Sequence, residues 1–214
     1  MAKAYPDTIV GIACGNELGS TSGLNWNTIY TVQTCVNALK AAGLSQPIGV
    51  IDTYDSWCSN GANGCSQWSA MAAINIDWIG ANIYPYWDNV YSGADSCNTA
   101  SSAAAMTMTH HKNLISRYDV PVVVTEFGWP GAPAGQTFLN QANYVTGEQC
   151  GVCNDANQKV MVQNMIDLYR NTGLPCNTFE AFREAWKSSS SIAPESNWGV
   201  CLGTSPYTCV GAPN

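Results

Sequence analysis

Between Val120 and Gly131 the chain reads VPVVVTEFGWPG, and this stretch limits the possible folds more than any other. A β-branched run broken only by Pro121 is the pattern of a strand buried on both faces, as in a parallel sheet covered by helices. The run stops at a carboxylate. Glu126 is followed by Phe127, Gly128, Trp129 and Pro130, so the acid stands at a strand's C-terminal end, on a turn that glycine permits, beside large aromatic rings. In parallel α/β architectures that end of the sheet carries the chemistry.

The arrangement recurs along the chain. Thr8–Cys14, TIVGIAC, is a second β-rich run and leads into Gly15-Asn16-Glu17, which puts a second carboxylate at a second strand end. Pro47–Thr53 (PIGVIDT), Asp77–Ile83 (DWIGANI) and Asn177–Phe182 (NTFEAF) read as three more strands. Helical spacing separates them: Ile29, Val32, Val36 and Leu39 within Asn27–Ala42, stopped by Gly43; a helix around Gln67–Asn75; one from Ala100 to Tyr118; and one over Asn157–Asn171. Such alternation calls for a parallel sheet with right-handed crossovers. Each strand leaves into polar or aromatic residues, Tyr54-Asp55-Ser56-Trp57 after PIGVIDT and Tyr84-Pro85-Tyr86-Trp87 after DWIGANI. That repetition favours the C-terminal face of a (β/α) barrel over a sheet with a single crevice.

Charge narrows the partners. A formal charge of -7 with only 8 Lys plus Arg argues against nucleic acid or an anionic membrane surface, and no apolar run approaches spanning length. Charged residues are 11% of the chain, so its polarity comes from hydroxyls and amides, and Trp and Tyr add broad apolar faces suited to neutral, hydroxylated ligands such as sugars. No metal or cofactor motif is present. His110 and His111, beside Lys112, read as a solvated helix face, and Cys150-Gly-Val-Cys153, without a second such pair, reads as a structural disulfide or free loop thiols. Ten cysteines indicate an oxidising, secretory compartment. Cys58 and Cys65, and Cys201 and Cys209, are close enough to pair, though spacing does not fix pairing; Cys14, inside a strand, reads as a buried hydrophobe.

Two carboxylates at strand ends among aromatic residues suit glycoside hydrolysis, which needs one acid to protonate the leaving oxygen and one carboxylate at the anomeric carbon. At these residues the sequence closely resembles glycoside hydrolase family 17, the endo-1,3-β-glucanases and related β-1,3-glucan transferases. The matching motifs are GIACGNE (Gly11 to Glu17), DWIGANIYPYW (Asp77 to Trp87), VVVTEFGWPG (Val122 to Gly131), FEAFREAWK (Phe179 to Lys187) and PESNWGV (Pro194 to Val200), in family order. The fungal wall members are the most similar.

The resemblance implies a retaining mechanism on β-1,3-glucan, with Glu17 as general acid/base and Glu126 as nucleophile. Asn16 would bond the sugar 2-hydroxyl, Tyr84 would touch nucleophile and sugar, and Trp129 would offer a stacking face. Glu184, Lys187 and Glu195 match a polar cluster that supports the acid/base and shapes a subsite. Where fungal members read FDEPWK, this chain reads FREAWK, which places Arg183 beside Glu184. The alternatives are a β-1,3-glucanosyltransferase and, in another class, an inactive glucan-binding or antigenic wall protein or inactive fragment. A secreted or cell-wall location is implied; the sequence shows no signal peptide, and its start resembles the middle of a family helix. The family barrel has eight strands and only the last five are legible here, so residues 1–214 are expected to be the C-terminal part of a single catalytic domain. Alone, such a piece is expected to act weakly or not at all on laminarin.

Overall fold

Strand–helix alternation is the architecture of the computed structural model, which describes residues 1–22, 26–58, 74–87, 98–133, 137–139, 150–189, 195–203 and 208–213. In chain order the elements are β1 (Ile12–Asn16), α1 (Leu18–Ser22), α2 (Trp26–Ala41), β2 (Ile48–Thr53), α3 (Tyr54–Trp57), β3 (Trp78–Ile83), α4 (Ala100–Ile115), β4 (Val122–Phe127), β5 (Phe138–Leu139), β6 (Val152–Cys153), α5 (Asp155–Tyr169) and β7 (Cys176–Thr178). The main sheet has the order β1-β2-β3-β4-β7, so each strand lies beside its predecessor in the alternation, while β5 and β6 form a small antiparallel ribbon. β1 pairs in parallel with β2, and β2 with β3, in a register that sets Gly80 beside Ile51 and Asn82 beside Thr53. The fold is a parallel α/β architecture of the (β/α)-barrel type, with five of its strands in the described residues. The expected helix around Gln67–Asn75 falls mainly outside the described residues.

Boundaries are set by local hydrogen bonds and backbone conformation. α5 starts at Asp155, two residues before the spacing implies, because the Asn154 side chain accepts the Asn157 amide at 2.8 Å and caps the helix. β1 begins at Ile12 rather than Thr8: the Tyr5 carbonyl takes the amides of Thr8 and Ile9 in a turn, and the first ladder bond runs from the Ile12 amide to the Pro47 carbonyl. α2 ends before Gly43, whose φ of 68° is the left-handed conformation that glycine adopts without penalty.

The chain forms two compact units, Met1–Asn82 with His110–Thr125, and Ile83–Thr109 with Glu126–Asn214. The first has a core of Val32, Val36, Ile48, Val50, Trp57, Ile79, Leu114 and Val124. In it the His pair departs from expectation. His111 is fully buried with Nε2 3.0 Å from the Val122 carbonyl oxygen, and His110 stacks flat on Tyr54 with ring centroids 3.7 Å apart. Burial lowers both imidazoles, His110 to about 4. A helix lying on a sheet must bury one face whatever its residues, and this face includes imidazoles. The second unit has a core of Ala103, Ala104, Phe127, Trp129, Met161, Met165 and Trp198.

Cys14 is likewise no lone hydrophobe: it is bonded to Cys35, which fastens β1 to α2. Cys201 and Cys209 form the expected bond. Cys58 and Cys150 are also disulfide-bonded, whereas Cys153 is a buried free thiol, so the Cys150–Cys153 motif is not itself a disulfide. Because the Cys14–Cys35 bond closes a separation of 21 residues, Cys35→Ser is expected to destabilise the protein by roughly 2–4 kcal/mol. Urea unfolding followed by fluorescence checks this, and an unchanged midpoint would refute it.

Candidate active site

Glu17 owes its position to a distortion of β1. The β1–β2 register slips between Ala13 and Asn16, with Gly15 at φ 111°, and Glu17 then takes a φ of 53°, which few residues other than glycine adopt. The backbone is held there from below. The Glu17 amide bonds the Ile51 carbonyl at 3.0 Å, and the buried Asp52 carboxylate accepts the amides of Gly19 at 2.6 Å and Ser20 at 3.3 Å. Strain confined to an acidic residue at a strand end is the kind that folds retain for function.

One side chain missing from the sequence-based site ties this half together. Asn82, at 2% exposure, donates its amide to Glu17 Oε1 at 2.8 Å and lies 3.2 Å from Asn16 Oδ1, while its own carbonyl accepts the Thr125 hydroxyl at 2.7 Å. A buried primary amide whose donor and acceptor are both used holds its rotamer firmly. The signal was present in the sequence: Asn82 is the lone amide in DWIGANI, two positions after Gly80 on the same strand face.

In the second unit the Tyr84 hydroxyl, just past β3, donates to Glu126 Oε2 at 2.5 Å. The Tyr84 ring is braced edge-on by Phe179 and Trp198, at centroid distances of 5.9 and 5.1 Å. Trp198 also packs against Gly128, where a Cβ would strike the Phe179 carbonyl and the indole, so the turn after Glu126 requires glycine.

The polar cluster is built differently from the expectation. Lys187 Nζ pairs with Glu184 at 2.5 Å and with both oxygens of Glu180 at 3.1 and 3.2 Å; among the described residues its ion pairs do not include Glu195, which opens the short 3-10 helix Glu195–Asn197. Glu180 lies two residues past β7, where NTFEAF made it look like one more strand residue. One ammonium cannot neutralise two acids equally. Burial raises the Glu180 carboxyl to about 7, whereas the hydrogen bond from Lys187 draws Glu184 below the usual range. Arg183 stands apart from this cluster: its guanidinium bonds the Asp155 carboxylate and the carbonyls of Ala132 and Gly199, so the charge reversal beside Glu184 is consumed structurally. Trp129 is also structural. It is 1% exposed, with its indole N–H on the Val152 carbonyl at 2.9 Å and Tyr86 against it, so no face remains for a sugar.

The geometry thus supplies, in each unit, an acid at a strand end held by a neutral hydrogen-bond donor. Residues 1–199 match the family model described as the BtgE/BtgC glycoside hydrolase domain. A probable glucan endo-1,3-beta-glucosidase of Emericella nidulans is 28% identical over 139 residues, 59% of this chain and 28% of that protein. An endo-laminarinase from Formosa has a TM-score of 0.69 at 20% identity, over 94% of this chain and 56% of its own. A glycoside hydrolase family 17 beta-1,3-glucanosyltransferase from Rhizomucor miehei has a TM-score of 0.63 at 16% identity, over 94% and 65%. The chain spans less than a third of that curated relative and under two thirds of either structure. With nearly its whole length matched in family order, the chain belongs to the BtgE/BtgC glycoside hydrolase domain family.

Proposed function

We propose that residues 1–214 are the C-terminal part of a single catalytic domain that cleaves β-1,3-glucan with retention, Glu126 acting as nucleophile and Glu17 as general acid/base. The observation that carries the reading is the Tyr84 hydroxyl bond to Glu126, a neutral donor that orients a carboxylate and keeps it available for attack. In the first step Glu17 gives its proton to the glycosidic oxygen while Glu126 bonds to C1 and the leaving chain departs. In the second, Glu17 takes a proton from water, whose oxygen attacks C1 and releases Glu126. Asn16 takes the sugar 2-hydroxyl, and Glu184, Lys187 and Glu195 shape the neighbouring subsite. The cysteine content supports a secreted or wall location; among the described residues no helix is long and apolar enough to cross a membrane.

Transfer rather than hydrolysis is the second reading, favoured by the likeness to the Rhizomucor miehei glucanosyltransferase. Products longer than a laminari-oligosaccharide substrate would establish it. A sugar hydroxyl would then replace water in the second step with no other change.

Two outcomes test the roles. An activated 2-deoxy-2-fluoro β-laminaribioside should leave a glycosyl group on Glu126, located by peptide mass spectrometry and absent in Glu126→Gln; labelling at another residue, or an α-anomer as the first natural product, would sink the retaining assignment. Asn82→Ala should lower hydrolysis of an unactivated laminari-oligosaccharide about 10–100-fold by freeing Glu17, while labelling by the activated reagent, whose leaving group departs without a proton, falls far less; equal losses in both would show that Asn82 does not act through the acid.

The pH dependence of stability follows from Glu180. Its folded carboxyl is raised to about 7, so between the ordinary glutamate range and 7 the folded state holds a proton that the unfolded state has lost. That contribution is fully present at lower pH and disappears as pH rises through 7. Glu180→Gln should flatten the slope of unfolding free energy between about pH 5 and 7, and urea titrations at several pH values read it; an unaltered slope would be the contrary result.

A further inference from the structure

We infer that Trp186 is a sugar-stacking platform, forming a glucan subsite beside Lys187 on the side of the cluster that opens to solvent. The inference rests on the glucanase reading above. Trp186 is 72% exposed, whereas Trp57, Trp129 and Trp198 are all buried to 2% or less. An indole left this open in a folded chain is unusual, since it forgoes the largest burial any side chain offers.

The exposed indole is nevertheless fixed in place. It sits in the short 3-10 helix Ala185–Ser189, and the Lys187 ammonium lies over its ring, 5.5 Å from the centre. Lys187 is in turn clamped by Glu180 and Glu184 and sits 4.9 Å from the Phe179 ring centre. Phe179 meets Tyr84 edge-on, and Tyr84 bonds Glu126. A continuous set of contacts therefore runs from the proposed nucleophile to the exposed indole within one compact unit.

The chemistry of the surrounding groups selects the ligand. A pyranose offers an apolar face of axial C–H bonds and a rim of hydroxyls. The indole matches the face. The Glu180 and Glu184 oxygens and the Lys187 ammonium match the rim as acceptors and donor, with no net charge large enough to favour an ionic ligand. Holding the indole before the ligand arrives lowers the ordering cost of binding. Substitution at so exposed a position leaves the core intact, so folding and binding can be separated.

The test is calorimetric titration of laminarihexaose into the 214-residue chain and its variants, with cellohexaose as the linkage control. Trp186→Ala is expected to weaken laminarihexaose binding roughly 5–10-fold, and Trp186→Phe to recover part of the loss, both with the parent's thermal midpoint. Parent-like binding by Trp186→Ala would overturn the platform while leaving the glucanase reading intact. No binding of laminarihexaose by the parent, together with no labelling of Glu126, would overturn both.

Discussion

A primary amide cannot be buried unless its donor and acceptor are both used, and the Asn82 amide is the constraint on which this site depends. Its hydrogen bonds to Glu17, Asn16 and Thr125 occupy it fully, and they convert a strained turn at the end of β1 into a fixed position for a carboxylate. Two residues further along, Tyr84 serves Glu126 in the same way. The exit of β3 therefore supplies the orienting group for both acids, although it carries no acid itself. A conservative change in this strand can be more damaging to chemistry than its apolar appearance implies.

The strand and helix order was legible because it depends on spacing, which survives noise in any one residue. β2, β3 and β4 lie within two residues of where their apolar runs place them, and both glutamates emerge at strand ends. Hydrogen bonds between distant residues were not legible. Asn82 reads as a strand residue until Glu17 and Thr125 are known to surround it, and Glu180 reads as strand until Lys187 is seen to reach back to it. Both are polar residues whose value is set by partners at least seven positions away, and the motif that contains each one is silent about the partner.

The misread residues have a common cause. Cys14, His110 and His111 were judged by their own elements, and in each case the neighbouring element decided the outcome: α2 supplies Cys35, β4 the Val122 carbonyl, and the start of α3 the Tyr54 ring. Arg183 follows the same logic. The sequence sets it beside Glu184, yet Asp155 and two carbonyls draw its guanidinium toward the N-terminus of α5. A long cation goes where its fork can be satisfied, and sequence proximity does not decide that.

The tryptophans make the same point in a form that bears on function. Composition shows a chain rich in indoles and suggests sugar binding, but it cannot apportion them. Burying an indole requires an acceptor for its N–H. Trp57 finds the Gly80 carbonyl and Trp129 the Val152 carbonyl, and both become core. Trp186 lies instead beside the Lys187 ammonium, itself paired with Glu180 and Glu184, and stays 72% exposed. An indole held beside a clamped cation stays at the surface. On this ground the exposed Trp186, rather than the buried Trp129, is the aromatic surface proposed to meet a glucan.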